Sequence, residues 1–125
     1  MKPVKTLIIK GRIPSKKNSK MIVTRGKRPF LIPQAKYVEW HKQASLQIKE
    51  QKIIWCENIQ EIQIEFWMPD NRQADLSNKA ESIMDLLVDC EVIEDDRWQI
   101  VSRLTLSCAG IDKENPRAEI WIKMY

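Results

Sequence analysis

With 125 residues, 43% of them hydrophobic and 30% charged, the chain has the size and balance of one globular domain, and a deep substrate cleft at this size calls for a second subunit. No run approaches the roughly 18 apolar residues that a membrane-crossing helix needs, and no signal-peptide cleavage pattern follows the opening residues, so the cytoplasm is the expected compartment. The net charge of +4 hides a polarity: residues 1 to 38 carry eleven Lys or Arg and no acid, and residues 39 to 125 carry ten bases against all seventeen acids.

That +11 followed by −7 suits a polyanion held by the first part and met by the second only through a bridging cation. Solvated basic strands are the plain alternative. Cys56, Cys90 and Cys108 are odd in number and far apart, which gives neither a disulfide framework nor a zinc site; they read as reduced, semi-buried residues. A single histidine, His41, leaves any catalysis to carboxylates, lysines or a metal.

In chain order, residues 5 to 12 have the β-branched content of a strand that Pro14 ends. Ser15 to Lys20 reads as a basic loop. Met21–Thr24 and Pro29–Ile32 flank Arg25-Gly26-Lys27-Arg28, a hairpin whose Gly accepts a positive φ. From Pro33 or Gln34 to about Lys52, Tyr37, Trp40, Ala44 and Ile48 form a helical stripe, with His41 placed at the edge of the core or of an interface.

Gln60 to Met68 alternates Ile62, Ile64, Phe66 and Met68 with Glu61, Gln63, Glu65 and Trp67, the pattern of a half-buried strand. A loop through Asp70 and Arg72 delivers the chain to Asp75 and a second helix, with Leu76, Ala80, Ile83, Met84 and Leu87 on the buried side and Asn78, Glu81, Ser82, Asp85 and Asp89 on another. Trp98 to Cys108 reads as a strand, Gly110 to Pro116 as a turn and Arg117 to Tyr125 as a last strand. Separated helices and more strands than helices make the class α+β, with a mixed or antiparallel sheet and two main helices, in a single domain over residues 1–125.

The chemistry centres on residues 75 to 96. Asp75 stands where a carboxylate caps a helix, and a plain N-cap is its simplest role. Glu81 and Asp85 are one turn apart and repel unless a cation sits nearby. Glu94-Asp95-Asp96 is either an exposed acidic turn or a loop that folds one aspartate back towards the sheet. Gathered oxygens of this kind hold hard divalent cations.

The order Met68-Pro69-Asp70, Arg72, Asp75-Leu76-Ser77-Asn78, Asp85, Asp95-Asp96 and Gln99, with the earlier Pro14-Ser15-Lys16-Lys17-Asn18, resembles the RusA family of Holliday-junction resolvases, especially its phage-type members. The resemblance implies a small α+β homodimer that binds four-way DNA junctions and cuts two strands symmetrically with Mg²⁺, for which Mn²⁺ substitutes, and without an organic cofactor or a membrane. By residue, Asp75 matches the first catalytic aspartate of the family's Asp-Leu-Asp-Asn motif, Asp96 with Asp95 beside it matches the later acidic pair, and Asp85 matches a recurring acid.

The chain departs from the pattern at two positions. Ser77 stands where the family has a second aspartate, and Glu81 where it has a lysine. The expectation is that Glu81 replaces the missing ligand from one turn away, which makes Asp75, Asp96, Asp95 and Glu81 the catalytic residues and Asp75, Asp96, Glu81 and Asp85 the metal ligands. Lys79 lies well round the helix from Glu81 and is not expected to substitute for the lysine. Lys16, Lys17, Asn18, Lys20, Arg25, Lys27, Arg28 and Arg72 are the expected DNA-binding residues, the cations neutralising phosphates. The rivals are a protein that grips branched DNA without cutting it and a nuclease with looser selectivity for flaps or forks.

Overall fold

The alternation around Ile62, Ile64 and Phe66 works as a pleated strand should: these three are fully buried, while Glu61, Gln63, Glu65 and Trp67 face the other way and stay half-exposed. They belong to β4 (Ile59–Met68), the inner strand of a sheet in the computed structural model, which describes residues 3–16, 20–26 and 28–125. The neighbours of β4 are β6 (Arg117–Met124), antiparallel, and β5 (Leu104–Ile111), parallel. Strand β1 (Val4–Lys10) pairs antiparallel with the far side of β6, so the order is β1-β6-β4-β5 and the sheet is mixed.

Register lines the core-facing positions up across the strands, fully buried on β1, β6 and β4 and more exposed towards β5. Leu7, Ile120, Ile64 and Leu106 form one row, and Ile9, Ala118, Phe66 and Cys108 the next, where small Ala118 leaves room for the Phe66 ring. Each large side chain buried this way contributes about 1.5–3 kcal/mol. Helices α1 (Ala35–Glu50) and α2 (Leu76–Asp89) cover this face, α1 over β1 and α2 over β5. The expected stripe on α1 is seen: Tyr37, Ala44 and Ile48 are buried and Trp40 packs against the core. The result is the expected α+β class with a mixed sheet and two main helices. Among the described residues, no helix is long and apolar enough to cross a membrane.

The basic hairpin forms as anticipated, from β2 (Lys20–Arg25) and β3 (Arg28–Pro33), with Gly26 at φ 66° in its turn. Lys17, Asn18 and Lys27 lie outside the described residues, and for Arg25 and Arg28 only the backbone is described.

Both ends of the strand expected from Trp98 to Cys108 need correction. The strand expected from Trp98 begins only at Leu104, because residues 97–101 turn back on themselves through Ile100 N–H and Val101 N–H bonds to the Arg97 carbonyl, at 2.9 and 3.0 Å. The apolar pair that mimics a strand instead presents its side chains to the core, with Val101 buried and Ile100 packed against it. Strand β5 also runs on to Ile111, past the expected turn at Gly110. Gly110 sits at φ 142° beside Trp67, where a Cβ would meet the indole at 3.5 Å, so the sheet continues through a glycine that reads as a turn former.

The β1 edge is closed by side chains. Gln51 accepts from Ile8 N–H at 2.8 Å and donates to Ile8 O at 2.7 Å, and Gln47 does the same for Lys10 at 2.7 and 3.3 Å. Two amides, one on α1 and one at its C-cap, thus stand in for a neighbouring strand. Among the cysteines, Cys56 is buried, Cys90 half-buried and Cys108 exposed, so the semi-buried reading holds at Cys90 alone; none is disulfide-bonded.

Candidate functional site

Helix α2 positions most of the candidate residues. Asp75 occupies its N-cap in an extended conformation, yet its carboxylate caps no backbone N–H. It accepts from the Asn78 side chain at 3.1 Å and is otherwise exposed, so capping does not explain the residue. At the other end the chain reverses through Glu91 at φ 58°, with Glu91 N–H on Val88 O and Val92 N–H on Leu87 O. This reversal buries Val92 and Ile93 and carries the acidic cluster back beside the helix.

The reversal separates the two aspartates that sequence left undecided. Asp95 takes the Arg97 guanidinium at 2.9 Å and the Asp96 N–H at 2.8 Å, and the Arg97 contact first, then the backbone bond, holds its carboxyl below the usual range. Asp96 borders a cleft of about 290 Å³ together with Ser77 and Glu81, over an apolar floor that includes Met84 and Leu104.

Asp75 lies on the opposite flank. It shares a cleft of about 480 Å³ with Arg12, Gln73, Asn78 and Lys79. The first turns of α2 are therefore a ridge with Glu81 and Asp96 on one side and Asp75 on the other. Asp85 joins neither group: its carboxylate accepts from Lys16 and, chiefly through that hydrogen bond, raises the lysine's pKa, while the Lys16 ammonium lies 5.0 Å from the centre of the Tyr37 ring. Among the described residues no three of Asp, Glu, His and Cys stand together as a ready-made metal cluster.

The donor set still suits a hard cation. Glu81 and Asp96 offer two carboxylates with the Ser77 hydroxyl at the same cleft, and Mg²⁺ is commonly bound by one or two carboxylates with water completing its shell.

Sequence reasoning missed Arg12 and the burial of Ser82, whereas Lys79, as expected, stands away from Glu81. Arg12 borders the Asp75 cleft and pairs with Asp70 at 3.3 Å, where Arg72 also contacts Asp70 at 3.5 Å. Its signal was available, since it lies within the acid-free basic stretch between a strand and the Pro14 loop. The Arg72 N–H first, and then both guanidiniums, hold the Asp70 carboxyl low. Lys79 is only 6% exposed and Ser82 fully buried, although the polar arc of α2 predicts solvent at residue 82. A segment of the chain covers that arc: the Lys79 ammonium donates to Ile13 O at 2.6 Å, and the Ser82 hydroxyl to Pro14 O at 2.7 Å. His41 is at the edge of the core, as expected, and contacts Asp89 at 2.8 Å.

Fold and clefts together define a two-layer α+β domain whose second helix divides a basic cleft from an acidic one. No protein-family model matches the chain, and no curated protein matches it.

Proposed function

We propose that this protein is a structure-selective endodeoxyribonuclease that resolves four-way DNA junctions by Mg²⁺-dependent phosphodiester hydrolysis, acting in the cytoplasm as a homodimer in DNA recombination and repair. The observation that carries the reading is the docking of the acid-free segment onto the acidic helix, which puts Arg12 beside Asp75 and Lys16 beside Asp85. Cations able to hold a DNA backbone and carboxylates able to hold a metal thereby flank one helix. The order of motifs shared with the RusA family supplies the substrate class.

Within this reading Arg12, Lys16, Lys20 and Arg72 neutralise phosphates, which sets affinity and its salt dependence but not sequence preference. Glu81 and Asp96 hold the cation on one flank, and Asp75, steadied by Asn78, presents a third carboxylate on the other. Bound Mg²⁺ supplies charge for the scissile phosphate and a more acidic water. A two-fold dimer presents two such sites to strands of like polarity.

A second reading, a branched-DNA binder that does not cut, draws support from the ion pairs that occupy Asp85 and Asp95. Incubating the protein with a synthetic four-way junction, a fork and a linear duplex at matched salt, with Mg²⁺ and then Mn²⁺, separates the readings. Paired incision confined to the junction is expected; tight binding with no incision under either cation establishes the second reading, and equal cutting of forks establishes a less selective nuclease.

A further inference from the structure

Between the end of β1 and the basic hairpin, residues Ile13 to Lys16 run along α2, and three helix residues meet them in turn. Lys79 bonds Ile13 O, Ser82 bonds Pro14 O, and Asp85 pairs with the Lys16 ammonium. Residues 79, 82 and 85 are spaced i, i+3, i+6, so they form one inclined row on the helix surface, each about 4.5 Å along the axis and about 60° round from the last. The segment climbs this row in step with the helix.

The chemistry of the contacts is specific. Pro14 has no N–H and cannot extend a strand, so the carbonyls of residues 13 and 14 need donors from elsewhere. Lys79 is buried, and burial, with the nearby Arg12 charge adding to it, lowers its pKa. An apolar residue would fill the same position without desolvating an ammonium. The lysine is explained by the carbonyl it holds, as the buried Ser82 hydroxyl is by its own.

We propose that Lys79, Ser82 and Asp85 form a docking rail that fixes the basic segment on α2 and so determines where its cations meet a DNA phosphate. Lys79 and Ser82 are positioning residues that do not themselves contact DNA, and Asp85 is the rail's outer rung. The second half of this proposal rests on the nuclease reading; the rail itself does not.

The test uses Lys79→Met, Ser82→Ala and Asp85→Asn in the full chain. Hydrogen–deuterium exchange of the free protein reports the rail without DNA: amides in residues 12–16 should exchange roughly five- to tenfold faster in each variant, with β4 unchanged. Junction affinity should weaken several-fold with a shallower salt dependence, and the rate at saturating DNA should change less than twofold for Ser82→Ala. If Lys79→Met fails to fold, the other two variants decide, since Asp85 is partly exposed and Ser82→Ala removes one oxygen. Unchanged exchange in residues 12–16 overturns the rail. Faster exchange with unaltered junction affinity overturns the positioning role. If the parent protein binds no junction at all, the nuclease reading falls while the exchange data still support the rail.

Discussion

Glu81 and Asp96 border the same cleft, one from α2 and the other from the turn that follows it, with Ser77 beside them. If this pair holds the cation, Glu81→Ala and Asp96→Ala should each lower Mg²⁺-dependent junction cleavage roughly 100-fold or more, with little change in melting temperature because both side chains are exposed. Full cleavage by Glu81→Ala would defeat the idea that Glu81 replaces the carboxylate absent at position 77. Ser77→Asp adds a third carboxylate to the cleft and should tighten Mn²⁺ binding, read by calorimetry.

Acid should destabilise the fold through three surface carboxylates. Glu61 is held low first by its Thr105 hydrogen bond and then by Lys123, Asp70 first by the Arg72 N–H, and Asp95 first by Arg97. A carboxyl with a depressed folded pKa gives up its proton more readily when folded, so its stabilising effect is present above the unfolded values of 4.5 for Glu and 3.8 for Asp. The effect is lost as pH falls through the lower folded values. Urea midpoints should lose nothing through these three groups between about pH 7 and 5 and should decline below about pH 4, less steeply in high salt. If Asp70→Asn and Asp95→Asn leave the acid limb unchanged, the attribution is wrong.

The amides that close the β1 edge make a separate prediction. Gln47→Ala with Gln51→Ala removes four hydrogen bonds to Ile8 and Lys10, at roughly 0.5–1.5 kcal/mol each before water re-solvates the exposed edge. The double variant should melt several degrees lower and show concentration-dependent light scattering, since an uncovered strand invites pairing with another chain. An unchanged scattering profile would show that other parts of α1 cover the edge sufficiently.

Phe66 lies fully buried between Ala118 and Cys108 in the sheet register. Phe66→Ala should cost about 3–5 kcal/mol, measured by urea unfolding, because its neighbours belong to two flanking strands that cannot collapse together into the space.

Much of the fold is legible in the sequence because each element announces its period. The two-residue alternation of β4 and the helical stripe on α1 specify which side chains go inward, and the structure agrees at Ile62, Ile64, Phe66, Tyr37, Ala44 and Ile48. The hairpin was legible from Gly26 and its flanking β-branched residues. Residues 97–101 were not, since Ile100-Val101 has a strand's composition whether it pairs with a neighbour or plugs the core from a turn.

For the site, the sequence by itself determined the inventory: a basic segment free of acids, a helix opening with Asp75, the exchange at Ser77 and Glu81, and an acidic cluster after the helix. Only the tertiary structure decided how the acids are shared out. It pairs Asp85 with Lys16 and Asp95 with Arg97, leaves Glu81 and Asp96 on one cleft, and puts Asp75 on another. Periodicity states which face of a helix is polar but not what covers it. The burial of Lys79 and Ser82 was set by carbonyls at residues 13 and 14, distant in sequence and brought to α2 only by folding.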